Sequence, residues 1–184
     1  MIINKNKKQY RGMTVNERLF ASNLMDKFDN AVKKKDIGTI ISILEEVELA
    51  EKSIMPVLGN LGLYGEAYGY KRKNFINNTR KYFKFLETEF GFSKPKHQFY
   101  KQENGTVISD RMEYENILLN KKIVVKNDYH PVDYGFHIDI IDMKSGTKEM
   151  LCYVLKEKQD IKQAYLKEQA EILINYCKQV CQEA

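Results

Sequence analysis

Between Lys121 and Leu155 apolar and polar positions alternate with the period of a β-strand. Phe136, Ile138 and Ile140 fall on one side and His137, Asp139 and Ile141 on the other, because successive side chains of a strand point to opposite faces. Residues 144–147 (Lys-Ser-Gly-Thr) read as a reversal, and residues 149–155 as a second strand to pair with the first. Upstream, residues 97–102 and 106–119 are strand-like and flank Glu103-Asn104-Gly105, where Asn-Gly is a strong hairpin signal. Residues 122–125 add a further strand. The pattern predicts an antiparallel meander of four or five strands.

Helical periodicity brackets this region. Thr14-Val15-Asn16-Glu17 has the form of a capping box, and Phe20, Leu24, Phe28 and Ala31 follow at helical spacing, predicting one helix that closes at Lys33–Lys35. Asp36 suits the N-cap of a second helix whose inner face is Ile37, Ile40, Ile41, Leu44 and Val47. A third short helix is expected over residues 50–58. The glycines and tyrosines of residues 59–70 (GNLGLYGEAYGY) suit neither a helix nor a solvated linker, and mark a boundary. Residues 74–90 return to helical spacing through Phe75, Thr79, Phe83 and Leu86, with Gly91 placed as a left-handed C′ residue and Phe92 able to fold back. Residues 160–182 carry a last stripe of Leu166, Ala170, Leu173, Cys177 and Val180.

The expected fold class is therefore α+β: an N-terminal helical hairpin, a helix, an antiparallel meander sheet and a C-terminal helix. The expected organisation is a basic arm over residues 1–13, a helical subdomain over 14–58, a Gly/Tyr-rich linker over 59–73 and an α+β domain over 74–184.

Composition narrows the class of protein. With 43% hydrophobic and 30% charged residues the chain reads as globular and soluble. No apolar run approaches the ~20 residues of a membrane span, and the basic N-terminus has no following apolar stretch of a secretory signal. The expectation is a cytoplasmic protein with no membrane partner. Cys177 and Cys181 sit four apart on a helix without further ligands at zinc spacing, so the cysteines read as buried thiols, with no metal and no cofactor expected.

Charge is segregated within the net +5. Residues 71–101 hold nine basic side chains against Glu87 and Glu89, whereas the strand region is mildly acidic. A nucleic-acid reading follows from Tyr70, Lys71, Arg72, Lys73, Arg80 and Lys84, since phosphates need clustered cations and tyrosine stacks on bases. An enzymatic reading would use the His/Asp cluster of residues 128–139, where imidazoles beside carboxylates suit acid–base or metal chemistry; no hydrolase or nuclease motif accompanies it. A protein-binding reading uses the sheet face that helices on one side leave open, with Tyr114, Tyr129, His130, Asp133, His137 and Asp139 as its candidate contacts.

Two stretches resemble known families. Residues 14–20 (TVNERLF), 25–29 (MDKFD) and 47–49 (VEL) are similar to short bacterial helical proteins of uncharacterised function. Residues 82–92 (YFKFLETEFGF), leading into a meander with Tyr114-Glu115-Asn116, resemble small bacterial immunity-type proteins that neutralise a cognate toxin. That resemblance implies a non-catalytic protein whose partner is a protein, a toxin in the resembled family; it implies no active residues and no oligomeric state. Inhibitors of basic nuclease toxins usually present an acidic surface, and only the sheet segment here has that sign.

Overall fold

The computed structural model describes residues 10–129 and 134–182. The chain divides into two compact units between Tyr70 and Lys71. The fold is α+β, with helices at both ends of a five-stranded antiparallel sheet. Among the described residues no helix is long and apolar enough to cross a membrane.

The first unit is helical: α1 (Val15–Ala21), α2 (Met25–Lys33), α3 (Ile37–Glu46), α4 (Glu51–Asn60) and the first part of α5 (Tyr64–Tyr82). The capping box forms: the Glu17 amide donates to Thr14 Oγ1 and the Thr14 amide to Glu17 Oε2 at 2.7 Å. Asp36 caps α3 by accepting from the Thr39 amide at 3.1 Å. The single helix expected over residues 14–35 is broken at Asn23, whose φ of 56° is left-handed. The break turns Leu19 into the core and leaves Phe20 at 78% exposure, the reverse of the face that the Phe20–Leu24–Phe28 spacing suggests.

One device closes helix after helix here. A left-handed C′ residue follows each of α1 to α4, at Asn23, Lys35, Glu48 and Gly62. The amide after each bonds back to a carbonyl five residues earlier, as in Leu49 to Leu44 at 2.9 Å and Leu63 to Leu58 at 2.8 Å. The buried face is then supplied by Leu19, Phe28, Ile40, Ile41, Leu44, Ile54 and Leu58. Arg18 fastens one of these corners, donating from Nη1 to the Val47 and Glu48 carbonyls at 3.1 and 2.8 Å.

The linker expected over residues 59–73 is not a loop. Residues 51–60 end one helix, and α5 runs without interruption from Tyr64 to Tyr82 through Gly65 and Gly69. Buried Leu63 and Ala67 give its start an apolar anchor, and this tertiary burial outweighs the poor helix propensity of glycine.

The second unit holds the rest of α5, the short α6 (Phe85–Thr88), the sheet and α7 (Leu166–Gln182). Strands β1 (Lys96–Lys101), β2 (Val107–Asn116), β3 (Lys121–Tyr129), β4 (Tyr134–Asp142) and β5 (Lys148–Val154) lie in sequence order, each antiparallel to the next. Two expected turns form: Gln102 and Thr106 bond across Asn104-Gly105 at 2.9 Å, and Asp142 and Thr147 bond across the β4–β5 turn at 2.9 Å. Gly91 has φ of 68°, and the Phe92 amide reaches back to the Leu86 carbonyl at 2.9 Å.

One sheet face carries the core. Met112, Tyr114, Ile123, Val125, Phe136, Ile138 and Ile140 pack against Phe75, Phe83 and Leu86 before the sheet and Leu166, Ala170, Leu173 and Cys177 after it. Phe136 is central, edge-on to Phe75 at 6.5 Å and to Tyr165 at 5.3 Å between ring centroids. The last helix starts at Leu166, the first residue of its stripe, and not at residue 160 as expected. Residues 160–165 instead make a turn in which Asp160 accepts from the Ala164 amide and buried Gln163, at φ of 58°, accepts at Oε1 from Nδ2 of buried Asn127 at 3.1 Å.

Candidate functional site

Strand register decides which side chains share the second sheet face. Arg111 pairs with Lys126, Lys126 with His137, and His137 with Tyr153; one step along, Glu113 pairs with Val124, Val124 with Asp139, and Asp139 with Met150. The helix-facing core residues all belong to the opposite face, so these rows lie on the side of the sheet that α6 and α7 do not cover.

The polar residues of these rows interlock. Lys122 bridges Glu113 at 2.7 Å and Glu115 at 3.5 Å, with Arg111 at 3.4 Å from Glu113. Lys126 binds Asp128 at 2.7 Å, and Lys148 binds Asp139 at 2.8 Å. His137 sits between the halves, its Nε2 at 3.2 Å from Asp139 and its Nδ1 at 3.9 Å from Asp128. Burial among these chains pushes the His137 imidazole below its ordinary value of 6.5, against the opposing pull of Asp139 and Asp128. The Glu113 partnership works the other way on Lys122, raising its ammonium above the usual lysine range.

Around this lattice stands an exposed rim. Tyr100 on β1 is 45% exposed and has Arg111 over its ring at 5.0 Å; Met150 and Tyr153 on β5 are 54% and 48% exposed. Tyr153 packs over Gly135, so closely that a Cβ added there would lie 2.7 Å from the ring.

The structure sorts the six expected protein-binding residues. His137 and Asp139 share the face. Tyr114 does not: it is fully buried in the helix-facing core, where its phenol is pushed far above its ordinary value by burial. Tyr129 also points to the helix side, its hydroxyl donating to Asp110 at 3.0 Å. Tyr114 and Tyr129 belong to strands whose inward positions carry core residues, which an alternation count made without the register of neighbouring strands does not reveal. His130 and Asp133 lie outside the described residues. Missed from the sequence were Lys122, Lys126, Lys148 and the rim residues Tyr100, Met150 and Tyr153, which join His137 only through the strand register.

The nucleic-acid set is divided too. Tyr70 belongs to the helical unit, its ring edge 3.5 Å from where a Cβ of Gly38 would stand. Lys71 is half-buried. Arg72 is held in a fork–fork pair with Asp110 at 2.7 and 2.9 Å, and His97 Nε2 approaches the same carboxylate at 2.9 Å. With Tyr129 also bonded there, fully buried Asp110 is a structural clasp between α5 and the first three strands. Lys73, Arg80 and Lys84 are exposed.

For the 128–139 cluster as an enzyme, both His137 ring nitrogens face carboxylates and its side chain is only 11% exposed. Among the described residues no group of three His, Cys, Asp or Glu side chains is arranged to hold a metal ion. Burial pushes the Cys152 thiol up to about 11, far from the range of a reactive thiolate.

Comparison of this chain with protein-family models, with curated proteins and with solved structures returns no match.

Proposed function

We propose that this chain is a non-catalytic protein-binding module of the immunity type, which occludes a toxin through the second face of its sheet. The observation that carries this reading is the interlocked lattice of Arg111, Glu113, Glu115, Lys122, Lys126, Asp128, His137, Asp139 and Lys148 inside a rim of Tyr100, Met150 and Tyr153. Long charged side chains that are already held in place lose little conformational entropy when a partner docks on them. Tyrosine and methionine at the rim supply apolar area, and tyrosine is enriched among residues that dominate interface energies. Catalysis fits less well, because the carboxylates around His137 occupy the directions from which a substrate would be reached.

The lattice balances its charges, and this shapes the partner. A strongly basic toxin would be steered by a strongly negative surface, which this face lacks. The proposed partner is therefore chosen by close complementarity, and association changes little with salt.

The test is growth rescue. The product of a gene adjacent to this one is expressed in a bacterial host, with and without this chain. Rescue by the wild type, lost in a Lys126→Glu, Tyr153→Ala variant that melts normally, is the expected result. Rescue undiminished in that variant would remove the sheet face from the proposal; absence of any rescue or complex would remove the immunity role.

A further inference from the structure

The helix side of the second unit carries a cationic patch that the sheet-face reading does not use. Lys73, Asn77 and Arg80 recur at i, i+4 and i+7 on α5, so they form one stripe. All three are exposed, opposite the buried Phe75, Thr79 and Phe83. At its lower end three elements converge: Arg80 from α5, Lys84 from the junction with α6, and Lys94 from the segment before β1 line a single open groove with Glu87 and Pro95. Glu87 is the one carboxylate of that lining, and Lys84 neutralises it at 2.6 Å. Among the described residues no carboxylate stands within ion-pair distance of Lys73, Arg80 or Lys94. A favourable helix dipole accounts for Arg80 near the end of α5, but not for Lys73 two turns earlier or for Lys94 outside the helix.

We infer that this patch binds a nucleic-acid backbone, without reading its sequence. Two features choose that partner over an acidic protein. Every residue lining the groove except Pro95 is charged, and three of them are cations, whereas protein interfaces are depleted in lysine and are centred on aromatic and aliphatic side chains. Phosphodiesters need only clustered cations, and binding is driven by release of their counterions. On the same side of the sheet the edge strand β1 adds Phe99, 49% exposed with Lys101 5.2 Å above its ring, an aromatic surface on which a base can stack. The residues differ from those the sequence suggests: Arg72 is committed to Asp110 and Tyr70 belongs to the other unit, while Lys94 joins.

The experiment is fluorescence anisotropy of the full chain with a labelled oligothymidylate of about 20 nucleotides, titrated from about 50 to 200 mM salt. The variant is Arg80→Ala, Lys84→Ala, Lys94→Ala. The control removes equal charge elsewhere, by Lys144→Ala, Lys167→Ala, Lys178→Ala. The expected result is binding by the wild type and the control, at least about tenfold weaker binding by the patch variant at low salt, and a log–log salt slope shallower by about 2. No wild-type binding at low salt, or equal losses in variant and control, would overturn the inference. So would polyglutamate binding as tightly as the oligonucleotide, since the patch would then serve acidic protein. Growth rescue is a separate readout, so failure here leaves the sheet-face proposal standing.

Discussion

Arg72 and His137 are the two residues whose surroundings most constrain them. Arg72 neutralises a fully buried carboxylate through a planar two-point contact. Arg72→Ala leaves Asp110 charged in the interior with only His97 and Tyr129 beside it. The expected loss is about 3–5 kcal/mol in urea unfolding. Arg72→Lys is expected to recover only part of it, because an ammonium cannot make the fork. For His137 the sign is the opposite of a paired surface histidine. Its folded imidazole titrates below the 6.5 of the ordinary group, so its neutral form is the one the fold favours. Its contribution is complete above pH 6.5 and is lost as the pH falls through the lower folded value. His137→Gln should therefore lose less stability than the wild type between neutral pH and mildly acidic pH, measured by urea midpoints at both.

At the scale of elements, α5 is the instructive one. Its first turns contain Gly65 and Gly69, and at both positions an added methyl would meet no atom within 4 Å. Gly69→Ala is expected to raise stability by about 0.5–1 kcal/mol, readable as an increase in Tm. Loss of stability would mean that the glycine has a role beyond backbone freedom. The β4–β5 turn is a second self-contained element. Asp142 accepts from the amides of Lys144 and Ser145 and from Lys121 Nζ, and these bonds, the Ser145 amide foremost, hold its carboxyl down to about 2, below the ordinary 3.8. Its stabilising effect is present above pH 3.8 and disappears as the pH falls through about 2. Asp142→Asn should accordingly flatten the acid limb of the stability curve.

These elements also separate what was legible from what was not. Strand alternation, the Asn-Gly turn, the Thr14 box and the Gly91 terminator were all readable, because each is set by a few neighbouring residues. The helix break at Asn23 was not, since asparagine carries only a weak signal for a left-handed C′ position and Phe20 offered a misleading stripe. The continuity of α5 was not, since its cause is burial of Leu63 and Ala67 and local composition argues against it. In the candidate site, His137 and Asp139 were readable from one strand alone. Their partners Lys126 and Lys148, and the inward turn of Tyr114 and Tyr129, depend on register across three further strands, which no local pattern encodes.

Across the second unit as a whole, charge is sorted by side. The sheet face is balanced and interlocked, while the stripe on α5 and the segment before β1 is cationic and mostly without partners. The two surfaces flank the same hydrophobic core. If each has its proposed occupant, they are independent: saturating oligonucleotide should change the affinity of the protein partner by less than about twofold, equivalent to ~0.4 kcal/mol. A titration of the partner with and without oligonucleotide reads this directly, and strong competition between the two would place them on one surface.

Gly135 has no side chain to offer any visitor, yet it governs one that does. With φ of 144° and the Tyr153 ring seated over its α-carbon, it is the floor on which that ring rests. A single methyl group there would collide with the tyrosine ring and also strain a backbone that only glycine adopts readily, so folding and the rim would suffer together. A genetic screen for chains that no longer recognise their target should therefore return a position that never meets the target at all.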